Sequence, residues 1–212
     1  MNGIDFSQSA CWYDDNAASF ISGADPLDTG PDMRRFLDLL PVKVSPRILD
    51  IGCGSGRDLE AFQALGCRIG GIDPSAAMIG NCRARLKGEV MLEQTDLGGL
   101  FMPPASWDGV WAMASLLHIP LSGQEQAWCT IAHHLAPGGA AMAWVKAPKD
   151  VDAREFMDER GRPMCHYGSE TALLLTERAS MRYQASVTVD RIVRLDSRGD
   201  ETIWTEILMQ RR

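Results

Sequence analysis

The segment ILDIGCGSGRD, residues 48–58, puts three glycines at alternate positions, Gly52, Gly54 and Gly56, directly after an apolar run containing Asp50. Glycine takes positive φ without steric cost and lets backbone pass close to a ligand. A loop of this kind can cradle a small polar group, and a helix starting near Arg57 would turn its free N–H groups toward the same space. Two acids stand at related places. Asp73 closes CRIGGID, 17 residues after Gly56, and Asp96 closes EVMLEQTD. An acid after a second strand can grip ribose hydroxyls, and Asp96 falls beside the position of a base. Packing alone could explain the glycines, as a tight strand-to-helix turn. A loop and two acids at three strand ends instead point to a nucleoside-bearing ligand. In the dinucleotide fingerprint G-x-G-x-x-G, counted from Gly52, the third glycine would fall where Arg57 stands. Here it arrives one residue early, a pattern suited to a smaller ligand carrying an amino-acid tail.

Groups able to handle protons lie elsewhere. His118, in SLLHIP, follows a fourth strand, where an acceptor would enter. His166 and Tyr167, in MCHYGSE, fall in a loop before a late helix, and Tyr13 lies in the N-terminal CWYDDNAASF. Each also has a bland reading: a histidine bonded to backbone, a turn, an anchor for the N-terminus. The adjacent His133 and His134 fall on a helix expected to face away from the strand ends. The six tryptophans read as packing.

These residues need a scaffold, and the hydrophobic pattern supplies one. RILDI, CRIGGID, EVMLEQTD, WDGVWAMAS and AAMAWVK read as strands. They alternate with helices over RDLEAFQALG, PSAAMIGNCRARLKG and SGQEQAWCTIAHHLAPGG, closed by glycine or proline. An earlier helix fits PDMRRFLDLLP. Such alternation with right-handed crossovers builds a parallel sheet covered on both faces. The tail changes character: a helix over SETALLLTERA, then two extended runs around DSRGDE (196–201), which read as an antiparallel hairpin on one sheet edge. The expected fold is α/β, a Rossmann-like, doubly wound, seven-stranded sheet, mostly parallel, with an antiparallel C-terminal hairpin. It is read as one domain over 1–212: a cap segment at 1–30, a cofactor-binding core at 31–146, a substrate-side loop at 147–168, and the C-terminal helix and hairpin at 169–212.

Composition narrows the class. The chain has 212 residues, 45% hydrophobic and 23% charged, with a formal charge of −7, which argues against long nucleic acid as a partner. The basic run RARLK reads as a solvated helix face. No apolar run approaches the roughly 20 residues that span a bilayer, and the N-terminus lacks the pattern of a signal peptide. The cysteines are scattered without a CxxC pair, so neither a zinc site nor disulfides are expected, and a cytoplasmic setting fits.

The motifs together resemble those of class I S-adenosylmethionine-dependent methyltransferases. ILDIGCGSGRD is similar to their first motif, GIDPSAAMI (71–79) to the ribose-binding segment, TDLGGL (95–100) to the adenine side, and LAPGGAAMAWVK (135–146) to the region around the fifth strand. WYDDNAASF, CGSGRD and WDGVWAMASLLHIP further resemble small bacterial tellurite-resistance-like and small-molecule methyltransferases. The resemblance implies S-adenosylmethionine as cofactor and S-adenosylhomocysteine as product. It implies Gly52, Gly54 and Gly56 along the methionine part with Asp50 near its amino group, and Asp73 on the ribose. Pro74 and Met78 would lie toward the adenine, Asp96 and Leu97 at its edge, and Ala112 and Ser115 beside the methionine. Tyr13 would lie in a segment that folds over the cofactor.

The implied reaction is methyl transfer to a small-molecule acceptor at O, N, S or a metalloid, by a monomer or homodimer and without a metal. Tyr13, His118 and His166 are the candidate catalytic groups. ASLLHIP stands where methyltransferases acting on adenine or glutamine carry Asp/Asn-Pro-Pro-Tyr/Phe, which removes support for an adenine target. The prolines of MPPASW (102–107) precede the strand and do not replace that motif. An RNA or protein methyltransferase, or a non-catalytic cofactor-binding domain acting through a partner, are the alternatives.

Overall fold

The structure is a computed structural model that describes residues 4–24, 28–195 and 201–212. It contains helices α1 (Gln8–Ala24), α2 (Gly30–Leu39), α3 (Arg57–Ala64), α4 (Ala76–Arg85), α5 (Leu121–His134) and α6 (Ser169–Tyr183). Its strands are β1 (Arg47–Ile51), β2 (Arg68–Asp73), β3 (Met91–Gln94), β4 (Trp107–Met113), β5 (Leu135–Lys146), β6 (Ala153–Met157), β7 (Pro163–Tyr167), β8 (Ala185–Leu195) and β9 (Glu201–Arg211). Seven strands form one sheet in the order β3-β2-β1-β4-β5-β9-β8. β1 to β5 are parallel, and β9 and β8 add to the edge antiparallel. This is the doubly wound sheet with a C-terminal hairpin that the alternation predicts. Residues 196–200, most of the expected hairpin turn, lie outside the described residues.

Side-chain alternation along the central strands divides the core into two layers. Ile48 and Trp111 point toward Phe36 of α2 and Phe62 of α3, with Trp111 5.3 Å from each ring. Gly109 makes this approach possible, because a Cβ there would stand 2.7 Å from Phe36 Cζ. Leu49, Ile51, Val110, Ala141 and Ala143 face the opposite layer with Trp128 and Ile131 of α5. The Trp111 indole donates to Asp58 at 2.9 Å, and Thr29 and Arg57 donate to the other oxygen of that carboxylate.

Two segments differ from expectation. The polar N-terminal stretch contains α1, a 17-residue helix, and the expected loop at 147–168 contains β6 and β7 paired antiparallel as a separate two-stranded sheet. The hairpin turns at Asp158, whose backbone N–H donates to the Arg162 carbonyl (2.8 Å) while its carboxylate accepts from Arg160 and Arg162 N–H. Gly161 sits there at φ +79°. α5 also ends at His134, and β5 begins at once, so Pro137 and its glycines lie within the strand's irregular opening rather than at the end of the helix.

α1 is fastened to the start of α4 by its polar side. Asp14 accepts from Ser75 Oγ (2.6 Å) and from the Ala77 N–H (2.9 Å) at the start of α4. A carboxylate there satisfies orphan donors and complements the helix dipole. These hydrogen bonds hold the Asp14 carboxyl below its ordinary range. Asp14→Ala should destabilise the protein by about 1 kcal/mol, read as a lowered urea midpoint; an unchanged midpoint would show that the α1–α4 contact contributes nothing.

Candidate active site

The strand order reverses between β1 and β4, and ligands of such sheets bind beyond the strand carboxyl ends at that point. A cavity of about 1620 Å³ opens there. A single small-molecule site is typically roughly 300–1,000 Å³, so this space is larger than one such ligand needs. Its floor is the β1–α3 loop together with the ends of β2, β3 and β4. α1 and the β6–β7 hairpin contribute its roof.

Gly52, Gly54 and Gly56 all take positive φ, at +71°, +53° and +81°. Their roles differ. A Cβ on Gly52 would stand 2.4 Å from Ser115 Cβ, so this glycine lets the loops after β1 and β4 touch. Gly54 has open space where a Cβ would point, and it borders the cavity. Gly56 does not border it: it is buried against α4, where a Cβ would meet Cys82 Sγ at 2.6 Å.

Asp73 holds the loop in place. One carboxylate oxygen accepts from the Gly54 N–H (3.0 Å), the other from the Ser75 N–H (2.9 Å). The side chain is buried, and burial raises its pKa against the effect of these two donors. Asp50, enclosed beneath the loop, is pushed well above the ordinary carboxylate range by burial first and then by Asp58 and Cys82, with Arg57 opposing. A cation next to Asp50 would make its charged form favourable.

Asp50, Pro74, Met78, Asp96, Leu97 and Ser115 border the same cavity. Asp96 is exposed and caps its own turn by accepting from the Gly99 N–H at 2.8 Å. Ala112 is not there. It is a core residue of β4, 1% exposed, and Met113 and Ala114 take its expected place on the cavity wall. Ala114 has φ +55°, a strained conformation for a residue with a Cβ.

On the roof side, Tyr13 and His118 are joined, with Tyr13 Oη 2.9 Å from His118 Nε2. His118 Nδ1 lies 3.1 Å from the Pro163 carbonyl, which can only accept. The ring proton is therefore on Nδ1, and the Tyr13 hydroxyl donates to Nε2. Arg162 donates to the Tyr13 oxygen at 3.1 Å and is held by Asp158 through two N–H groups at 2.9 and 2.7 Å. Burial lowers the His118 pKa to about 4, with the Pro163 contact opposing. His166 lies on β7, not in a loop, and borders the cavity; its neighbour Tyr167 is fully buried and donates to Gln124, away from the site. His133 and His134 pack at the end of α5, where His134 Nδ1 contacts the Thr130 carbonyl at 2.8 Å.

Sequence reasoning passed over Arg162, Asp158, Asp14 and Ala114. The D-x-x-G spacing of Asp158 and Gly161 between two extended runs was a readable hairpin signal. Nothing in the sequence pointed to Ala114.

Residues 48–139 match the family described as a methyltransferase domain. The 27-O-demethylrifamycin SV methyltransferase of Amycolatopsis mediterranei (strain S699) is 31% identical over 137 residues, 60% of this chain and 47% of that protein. The trans-aconitate 2-methyltransferase of Paracidovorax citrulli (strain AAC00-1) is 32% identical over 102 residues, 47% of this chain and 38% of that protein. The chain thus spans about half the length of these relatives or less. A Burkholderia thailandensis 1,6-didemethyltoxoflavin-N1-methyltransferase, solved with 1,6-didemethyltoxoflavin and S-adenosylhomocysteine, superposes with a TM-score of 0.72 at 18% identity, covering 97% of this chain and 86% of that one.

The sheet, its glycine loop and these matches define the class I S-adenosylmethionine-dependent methyltransferase fold. Residues 48–139 of this chain match the methyltransferase-domain family, and the sheet as a whole has the fold of that class. The residues present fit S-adenosylmethionine: the enclosed Asp50 suits a cationic amino-acid tail, and each Asp73 oxygen keeps a lone pair for a hydroxyl. Among the described residues no helix is long and apolar enough to cross a membrane.

Asp73→Ala should weaken S-adenosylhomocysteine binding by about 10- to 100-fold. Calorimetry returning the wild-type affinity would place the ribose elsewhere. A second expectation concerns pH. His118 binds its proton more weakly folded, at about 4, than at its ordinary 6.5. Its contribution to stability is therefore present above pH 6.5 and is lost as pH falls toward 4. Urea midpoints measured across that window should decline, and less steeply in His118→Gln; parallel curves would contradict a neutral, enclosed His118.

Proposed function

We propose that the protein transfers the methyl group of S-adenosylmethionine to a small-molecule acceptor bound under α1 and the β6–β7 hairpin. The observation that carries this reading is the single cavity running from Asp50 and Asp73 to Tyr13, His118 and His166. The homologous small-molecule methyltransferases support it.

When bound, the cofactor supplies an electrophilic methyl on a cationic sulfur, so the protein's own task is to orient the partners and exclude water. Asp73 and the backbone it grips would fix the nucleoside, and Asp50 would face the amino-acid tail. Tyr13, held between Arg162 and His118, gives the roof a rigid polar point rather than a mobile one.

The same hydrogen bonds make His118 a poor general base. Its one lone pair already accepts the Tyr13 proton, and its conjugate acid forms only near pH 4. The arrangement favours an acceptor that arrives ionised or with a lone pair, for which no base is needed. Tyr13 and His118 then act as positioning residues.

Purified protein incubated with methyl-labelled S-adenosylmethionine and a fractionated cell extract should place label in the small-molecule fraction. Label in RNA or protein instead, or binding with no transfer at all, would refute the proposal. With an acceptor in hand, Tyr13→Phe should lower kcat by roughly 10- to 100-fold through misplacement. The same variant should keep its affinity for S-adenosylhomocysteine; a loss confined to that affinity would assign Tyr13 to cofactor binding alone.

A further inference from the structure

Charge is divided along the cavity. The acids that border it at the strand ends, Asp50, Asp73 and Asp96, lie on the side of the glycine loop. Across from them the lining includes Lys146 at the end of β5, and Arg154 and His166 on β6 and β7, with Asp158 and Glu159 at the turn of that hairpin. A protein of net charge −7 has brought cations together at one end of its cavity.

These groups form a built surface. Arg154 and His166 are cross-strand partners, and Phe156 joins them, with the guanidinium 4.7 Å from its ring and the imidazole 4.8 Å edge-on. On the sheet, Lys146 pairs across from Trp204 and lies 5.5 Å from its ring centre. Among the described residues Arg154 is paired only with a distant, exposed carboxylate, Asp150 at 3.9 Å. Asp158, the acid acting on His166, is engaged by Arg162. His166 Nε2 is buried and has no hydrogen-bond partner among the described residues. A buried polar atom of this kind calls for a partner.

We propose that this end of the cavity is an anion subsite, in which Lys146, Arg154 and His166 take a carboxylate or phosphoryl group of the methyl acceptor beside the rings of Phe156 and Trp204. The inference rests on the methyltransferase reading above and narrows its acceptor to an anionic small molecule. Burial, then Lys146 and Arg154, hold the His166 pKa to about 4. The ring is thus neutral at physiological pH and can give an N–H to an anion, whose arrival would offset the two cations and raise that pKa.

The test uses the full chain saturated with S-adenosylhomocysteine and titrated with benzoate, phenyl phosphate, benzyl alcohol and benzylamine. The two anions should bind about tenfold or more tighter than the neutral and cationic probes, and the tighter of the two identifies the group. Binding should move the His166 ring resonances and shift their titration to higher pH. A Lys146→Gln, Arg154→Gln double variant should keep its cofactor-product affinity and lose the preference for anions. Equal binding of all probes, no binding of any, or a preference that survives in the double variant would overturn the anion subsite while leaving the methyltransferase reading intact. Failure to bind S-adenosylhomocysteine would overturn both.

Discussion

The Asp73 carboxylate stands between two backbone N–H groups, Gly54 on the loop after β1 and Ser75 on the turn after β2. The rest of the site depends on this pair of hydrogen bonds. Three alternating glycines at positive φ lose more chain entropy on folding than other residues would, and local packing alone leaves Gly54 without a neighbour where its side chain would be. The loop is held instead by hydrogen bonds across to β2: Gly52 and Cys53 N–H donate to the Ile72 carbonyl, and Gly54 N–H to Asp73. A buried carboxylate is expensive unless its lone pairs are used, and these donors offset that cost. The acid and the loop thus stabilise one another.

The same turn carries the tension outward. Ser75 gives its N–H to Asp73 and its hydroxyl to Asp14, and accepts from the Met78 N–H. One residue thereby connects Asp73, the start of α4 and the roof helix α1. Tyr13 is the neighbour of Asp14, so fixing Asp14 fixes the reach of Tyr13 toward His118 and Arg162. From the other side Trp12 donates to the Arg160 carbonyl at 2.6 Å and lies against the Arg162 guanidinium. α1 is therefore pinned both to the floor and to the hairpin.

The parallel sheet and the floor of the site were legible in the sequence because they rest on local signals. Apolar runs ending in an acid, glycines before a helix, and strand-helix alternation each act over a few residues. The roof was not legible in the same way. α1 has a weakly apolar face and one buried residue, Ser9, so periodicity had little to register; it is held by Asp14 and Trp12, contacts that span 61 and 148 positions. β6 buries none of its five residues and pairs only with β7 among the described residues, which is why residues 147–168 read as loop. Gly56 and Ala112 illustrate a subtler miss. Motif position marks the neighbourhood, but only packing decides that Gly56 lies against Cys82 and that the wall beside Ser115 begins at Met113.

Enclosure matters most for the hydrogen-bonded row Asp158, Arg162, Tyr13, His118 and Pro163. In water such a row would be one arrangement among many. Under the roof each member has its alternatives removed: the Pro163 carbonyl fixes the imidazole tautomer, the tautomer fixes the direction of the Tyr13 hydroxyl, and Arg162 takes the remaining side of that oxygen. The positive charge of Arg162 is matched by Asp158, so the row brings polarity to the roof without a net charge. That leaves the electrostatic character of the two ends of the cavity to the strand-end acids and to the cations on β5 and β6. A cationic cofactor and an oppositely charged partner would each meet a surface complementary to itself, with a neutral, oriented dipole between them.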